Sequence, residues 1–368
     1  MAHSETTTSD SPALQAHSWR FYLSPREAWD AMYDDCEQAT KSIELEQYIL
    51  ENDAIGRKFM RLFIQKAAQG IRVFVICDKF GSQTLVGSRL VRLLRRGGGR
   101  FRFYNWVTYL DLLRPWRWYP RKHVKALLID SQIAYTGGVC FALRMRDWRD
   151  THIRITGPVV AQFRQAFDQA QRRRGITKRP TLPKDGNGEF TYLQNYPRFS
   201  WFAIYDELIR AITRAEHYIY LTTPFFAPNR RFRRLLANAA LRGVDVRILV
   251  PKQSEFTFVD WICLSYSHGL LRAGVRIFRY RPFMLHSKTV VSDDHWGTVG
   301  STNMDILSFF RNRESNIVTT NVAAVAELKQ QFMADLEESD ELTLEAMSRQ
   351  PMWKRAAGYL ARLLRSFA

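Results

Sequence analysis

Cysteine is scarce in this sequence: there are four in 368 residues, at positions 36, 77, 140 and 263. No two form a Cys-x-x-Cys pair, which excludes zinc-ribbon spacing, and a chain this long does not depend on a disulfide framework. They read as reduced thiols in a cytosolic setting. Long apolar runs are also missing. No window holds the ~18 uncharged apolar residues that a membrane-spanning helix requires. The opening MAHSETTTSDSPALQAHS has no apolar core and reads as a disordered lead-in over 1–18, without a secretory signal. Acidic residues are few beside basic ones, 36 against 54, giving a net charge of +18 and a pI near 10.0. That imbalance points to an anionic partner, either nucleic acid or an acidic membrane surface. The remaining composition, 46% hydrophobic and 24% charged, is that of a globular chain with room for two cores.

The chain repeats itself. From Glu44, ELEQYIL is followed by a segment of helical period ending near Gly70 and then by IRVFVIC. From His217, HYIYLTTPFF is followed by a second such segment ending near Gly243 and then by VDVRILV. A glycine just past each periodic stretch fits the left-handed residue that closes many helices. Strands alternating with helices predict an α/β fold with mostly parallel mixed sheets. The duplication predicts two similar α/β/α sandwich domains related by a pseudo-twofold, with a site at their interface. The expected boundaries are a first domain over 19–175, a linker over 176–192, a second domain over 193–340 and an amphipathic helical region over 341–368.

One motif occurs at the same place in both halves. HVKALLID (123–130) and HSKTVVSD (286–293) share the pattern His-x-Lys-x4-Asp, and a glycine follows each Asp by seven residues, in TGGVC and VGSTN. Read as strands, both put the histidine and lysine on one face. A single copy would suit a solvated strand end. Two matched copies mark His123, Lys125, Asp130, His286, Lys288 and Asp293 as the candidate catalytic set.

These residues resemble the phospholipase D superfamily, whose signature is a duplicated HxKx4Dx6G[GS]xN motif. The resemblance covers about residues 20–335. WRDTHIRITGPVV (148–160), DKFGS and TPFFAPN are similar to segments of bacterial cardiolipin synthases within it. The resemblance implies that the motif histidines, lysines and Asn line one site, while Asp130 and Asp293 hold loops. It implies phosphate contacts from Ser301 and Asn303. It also implies a carboxylate that orients a histidine, at Glu314 and, more loosely, at Asp150. The first copy departs from the signature by placing Cys140 where Asn is expected, with the backbone N–H groups of Gly137 and Gly138 as candidate substitutes. In the family the first-motif histidine is usually the nucleophile, which favours His123.

Two histidines and two lysines suit phosphoryl transfer without a metal or other cofactor. Lysines neutralise phosphate oxygens, one imidazole attacks phosphorus and the other serves as acid and then base. The favoured reading is a cardiolipin synthase-type phosphatidyltransferase. It moves a phosphatidyl group from phosphatidylglycerol, through a phosphohistidine, to the hydroxyl of a second phosphatidylglycerol and releases glycerol. A phospholipase D hydrolase or transphosphatidylase using another acceptor, a nuclease of the superfamily and a non-catalytic lipid binder remain alternatives. Expected partners are an anionic phospholipid and a membrane surface. No obligatory protein partner is expected, and nucleic acid is disfavoured. The expected location is peripheral, on the cytoplasmic face of a bacterial inner membrane. Basic-aromatic DLLRPWRWYPRKH offers Trp116, Arg117 and Trp118 to headgroups. The C-terminal stripe offers Trp353, Leu360 and Leu364 to a membrane interface or to the body of the protein.

Overall fold

The computed structural model of the chain describes residues 16–105, 120–171, 188–349 and 360. The first half runs β1 (Ser18–Tyr22), α1 (Pro25–Gln38), β2 (Ser42–Gln47), α2 (Ala54–Ala68), β3 (Arg72–Asp78), α3 (Arg89–Arg96), β4 (Arg100–Tyr104), β5 (Ala126–Ile129), β6 (Ile133–Gly137), β7 (His152–Thr156) and α4 (Val160–Gln171). The second half opens with β8 (Phe190–Gln194), α5 (Ala203–Arg214), β9 (Tyr218–Thr222), β10 (Phe226–Ala227), α6 (Arg230–Leu241), β11 (Asp245–Pro251), α7 (Thr257–Arg272) and β12 (Arg276–Tyr280). It continues with β13 (Thr289–Ser292), β14 (Trp296–Gly300), β15 (Met304–Asp305), α8 (Ile306–Phe310), β16 (Ser315–Thr319), α9 (Val322–Glu337), β17 (Ser339–Leu342) and α10 (Leu344–Ser348).

Local chemistry sets these boundaries. Ser24, Asp53, Ser88, Asn229 and Asn321 each accept a backbone N–H from the first turn of the helix they precede, satisfying donors that would otherwise be orphaned. Gly70 and Gly243 follow α2 and α6 at φ +85° and +94°, conformations that glycine adopts without a Cβ penalty.

The two large sheets have matching strand orders. One is β1-β7-β6-β5-β2-β3-β4, and the other, read in the same sense, is β8-β16-β14-β13-β9-β11-β12 with β17 added at the edge. The sheets are mixed, but their parallel part is narrower than the alternation of strands and helices implies. Parallel pairing within them is confined to β2-β3-β4 and β9-β11-β12. The other pairs are antiparallel, because β5–β6 and β13–β14 are tight hairpins that need no crossover helix. The second sheet begins at Phe190, within the segment read as linker, and β17 carries it to Leu342.

Three cores hold the layers. One lies between the outer face of the first sheet and α1–α3. Another lies between the outer face of the second sheet and α5–α8. The third joins the halves: Val124, Ala126, Leu128 and Ile153 of the first meet Tyr192, Val291, Val299 and Ile317 of the second, with α4 and α9 between the sheets. Phe163 of α4 stacks on Tyr192 of β8 with ring centroids 3.7 Å apart. Burying such rings stabilises by about 1.5–3 kcal/mol each, so the halves are held by a core of their own. The alternation along β5 explains the division. Val124, Ala126 and Leu128 face the other half, while Leu127 and Ile129 face the helices behind.

Candidate functional site

His123 and Lys125 precede β5 instead of lying within it, and His286 and Lys288 precede β13 in the same way. Each of these lead-in segments is extended because it pairs with backbone of the other half. The His123 N–H donates to the Arg313 carbonyl at 2.9 Å, and the Arg313 N–H donates to the Arg121 carbonyl at 2.9 Å. In the second copy, the His286 N–H donates to the Arg149 carbonyl at 2.7 Å, and the Arg149 N–H donates to the Met284 carbonyl at 3.0 Å. The residue after each arginine is a carboxylate, so each histidine meets the carboxylate of the opposite half. His123 Nδ1 lies 2.8 Å from Glu314 Oε2. His286 Nδ1 lies 2.7 Å from Asp150 Oδ2. The exchange is reciprocal, as a twofold relation between the halves requires.

All four of these side chains and both lysines are buried or nearly so. The Lys125 ammonium donates to the His123 carbonyl at 3.0 Å, and Lys288 makes the same bond to the His286 carbonyl. Burial and then the charge of Lys288 lower His286 to about 3, against the opposing pull of Asp150. Burial, Lys125 and Lys288 hold His123 well below the ordinary imidazole range. Burial brings Lys288 down to about 7, with Lys125 adding to the shift and Asp150 resisting it. Burial raises Glu314 to about 8 although Lys125 and the Ser301 hydroxyl oppose it. Burial also pushes Asp150 upward, but His286, Lys288 and the Thr151 N–H outweigh it and leave the carboxyl below its ordinary value. The site is thus rich in positive charge and holds neutral imidazoles. An arriving phosphodiester anion offsets the lysine charges and lets a histidine take up a proton.

The other motif residues divide by position. Asp130 accepts the N–H groups of Thr40, Lys41 and Ser42 at 2.7–2.9 Å. Asp293 accepts those of Glu216, His217 and Tyr218 at 2.8–3.0 Å. Both aspartates are at the far end of their strands, roughly 20 Å of extended chain from the histidines. Both carboxylates therefore clamp loops away from the histidines. The Ser301 hydroxyl donates to Glu314 at 2.5 Å and accepts the Ser315 N–H at 2.9 Å, so it braces the carboxylate. Asn303 is buried, and its Oδ1 has no hydrogen-bond partner among the described residues.

The first copy is built differently at these positions. The Gly138 N–H donates to the Thr151 carbonyl at 3.1 Å, which commits it to the fold. A Cβ on Gly138 would lie 1.9 Å from Asp150 Oδ1. Glycine there makes room for the carboxylate that reaches His286, where the second copy has Ser301 beneath the longer Glu314. Gly137, at the end of β6, pairs with His152. Cys140 is buried in an apolar cluster with Ala142 and Met145, and burial raises its thiol.

Two aromatic residues to which the motifs assign no role stand beside the histidines. Tyr48 stands edge-on to His123 with centroids 4.8 Å apart, and its ring centre is 5.5 Å from Lys125 Nζ. Trp148 lies 5.1 Å from the His286 ring. Lys122 and Glu46 form a buried ion pair at 2.7 Å beside the first lead-in. Of the expected membrane contacts, Trp116, Arg117, Trp118, Trp353 and Leu364 lie outside the described residues, and Leu360 is exposed. No helix of the described residues is long and apolar enough to cross a membrane.

Comparison with known proteins agrees with this geometry. A family model described as cardiolipin synthase, PLD-like domain, matches residues 208–336. The major cardiolipin synthase of Bacillus subtilis is 32% identical over 356 residues, covering 92% of this chain and 73% of that protein. A cardiolipin synthase of Clostridium perfringens is 30% identical over 377 residues, covering 96% of this chain and 78% of that one. Among solved structures, a phosphatidylserine synthase of Haemophilus influenzae superimposes with a TM-score of 0.74 at 15% identity, covering 95% of each chain, a likeness of fold. With the twofold sheets, the exchanged carboxylates and relatives alike over most of their length, the chain belongs to the cardiolipin synthase family of the phospholipase D superfamily.

Proposed function

We propose that the protein transfers a phosphatidyl group from phosphatidylglycerol to the hydroxyl of a second phosphatidylglycerol, forming cardiolipin and glycerol. The observation that carries this reading is the pair of histidines, each set on a carboxylate of the other half, within reach of both lysine charges. His123 is the proposed nucleophile. With Nδ1–H directed at Glu314, the Nε2 lone pair is free to attack phosphorus. A P–N bond forms as the P–O bond to the glycerol headgroup breaks, and His286, protonated and supported by Asp150, gives its proton to the leaving oxygen. The second phosphatidylglycerol then loses its hydroxyl proton to His286 and attacks the same phosphorus. The P–N bond breaks and the new diester leaves. Lys125 and Lys288 stabilise the charge that gathers on the phosphoryl oxygens. Those lysines fill the place a metal ion takes in other phosphoryl-transfer sites, so the reaction proposed needs none.

The work is placed at the surface of an anionic membrane, on the cytoplasmic side. The net charge of +18 supports this, as do Phe80 and Phe283, both more than 60% exposed, in the loop after β3 and the lead-in to His286. The test is incubation of the purified protein with phosphatidylglycerol vesicles, followed by mass spectrometry of the lipids. Cardiolipin and glycerol should accumulate, and His123→Ala and His286→Ala should each abolish both. Cleavage of single-stranded DNA without any lipid product would overturn the reading.

A further inference from the structure

The two imidazoles have different neighbours, although a strict twofold would give them the same ones. The backbone bridges Leu285–Arg149 and Lys122–Arg313 are equivalent. The residues just before the two arginines, Trp148 and Asn312, therefore hold matching places. Trp148 brings an indole to 5.1 Å from the His286 ring, tilted by 54°. Asn312 brings only an amide, whose buried Oδ1 has no hydrogen-bond partner among the described residues. A flat aromatic wall thus stands at this position on the His286 side alone.

The indole has a prepared seat. Trp148 packs with Ile49 on a buried cluster of Cys140, Ala142 and Met145. Cys140 is the residue that departs from the duplicated signature. The expected Asn would put an amide into this cluster, whereas a thiol keeps it apolar. The Trp29 indole N–H donates to the Cys140 carbonyl at 2.9 Å and fixes the backbone there. The Arg144 guanidinium lies over Trp148, 5.8 Å from the ring centre. Arg144 is itself tied to Glu51 at 3.2 Å and to Glu255 at 2.5 Å, one carboxylate from each half. The ring is backed by an apolar cluster and an ion-paired arginine, and part of it stays exposed.

This wall stands where two nucleophiles compete. In the reaction proposed above, the leaving oxygen and then the arriving one lie against His286. A residue in contact with that imidazole is placed to touch the glycerol headgroup. An indole offers a flat face to its C–H groups and one N–H to a hydroxyl. Water can take the same path: its oxygen bonds to phosphorus, its proton passes to His286, the P–N bond breaks and phosphatidic acid leaves. With phosphatidylglycerol as nucleophile the same step yields cardiolipin. The histidines serve both steps equally, so the choice falls to what surrounds them.

We infer that Trp148, seated on the Cys140 cluster, holds the glycerol headgroup against His286 and keeps water from the phosphohistidine, so that it sets the partition between transfer and hydrolysis. The inference rests on the lipid-transfer reading above and names the residue that selects the acceptor.

The test compares full-length wild type with Trp148→Ala and Trp148→Phe on phosphatidylglycerol in mixed micelles, with glycerol, cardiolipin and phosphatidic acid measured by mass spectrometry. Glycerol counts every phosphohistidine formed, and the ratio of phosphatidic acid to cardiolipin reports its fate. Trp148→Ala should raise that ratio by about tenfold, the low end of what an apolar pocket discriminates. Trp148→Phe keeps an apolar face without the N–H and should raise it by less. A ratio that moves by less than about threefold in Trp148→Ala, whatever the fall in glycerol release, would overturn the inference while leaving lipid transfer intact. If thermal melting shows that Trp148→Ala does not fold, Trp148→Phe and Cys140→Asn, which puts an amide beneath the ring, are judged by the same ratio. A wild-type protein that makes no cardiolipin would sink the transfer reading and this inference with it.

Discussion

Exchanging Asp150 for asparagine should disable the histidine of the other half. His286 Nδ1 and Asp150 Oδ2 are 2.7 Å apart and both side chains are buried. Once His286 carries a proton, the Coulomb attraction at that distance is about 6 kcal/mol for an effective dielectric near 20. An amide retains part of this through its carbonyl dipole, but its N–H2 can also turn to Nδ1 and favour the wrong tautomer. A net loss of about 4 kcal/mol corresponds to about a thousandfold in turnover. The assay has two readouts. Steady-state transfer from phosphatidylglycerol should fall by that factor. In protein labelled with 15N-histidine, the ring signals of His286, assigned with His286→Ala, should move while those of His123 hold. A shift confined to His123 would refute the crossed pairing, and a loss of turnover below about tenfold would refute the role of Asp150 in supporting an imidazolium.

Two further outcomes follow from the same geometry. Burial lowers Lys288 to about 7, so it carries charge below that pH and loses it as pH rises. Its loss should give kcat/KM an alkaline limb near neutrality, with Glu314 contributing to the same apparent constant. Lys288→Arg keeps the charge and should move that limb upward, and an unmoved limb would remove Lys288 from the assignment. Asp130→Ala deletes bonds to three backbone N–H groups at a half-exposed site, which should destabilise urea unfolding by about 2 kcal/mol. Turnover of the folded fraction should stay within about threefold, and a catalytic defect at unchanged stability would contradict the clamp.

The duplicated motif made the fold class and the two histidines legible, because a pattern repeated at equal spacing outweighs the ordinary explanation for either copy. The family resemblance pointed to Glu314 and Asp150, but it could not show which histidine each one meets. That follows from the faces of two sheets meeting, a long-range fact absent from any local window. The place of Tyr48 and Trp148 beside the imidazoles is not legible in the sequence, because an aromatic residue next to a strand reads equally well as core. The direction of pairing at the motif hairpins is less legible for a related reason: the βαβ units are long and periodic, whereas those hairpins are short. Cys140 stood out as a departure from the signature, and the structure gives it an apolar cluster.

The bridges between Arg121–His123 and Arg313, and between Arg149 and Met284–His286, have a consequence for how such a chain can be divided. Each half on its own presents a histidine without the carboxylate it meets, and a lead-in segment without the backbone that straightens it. A severed half would have to recruit another copy from solution to complete even one imidazole–carboxylate pair. Covalent continuity replaces that encounter with an intramolecular docking at a high effective concentration. It also frees the two copies to diverge, as they have beneath the two carboxylates, where Gly138 makes room for Asp150 and the Ser301 hydroxyl braces Glu314.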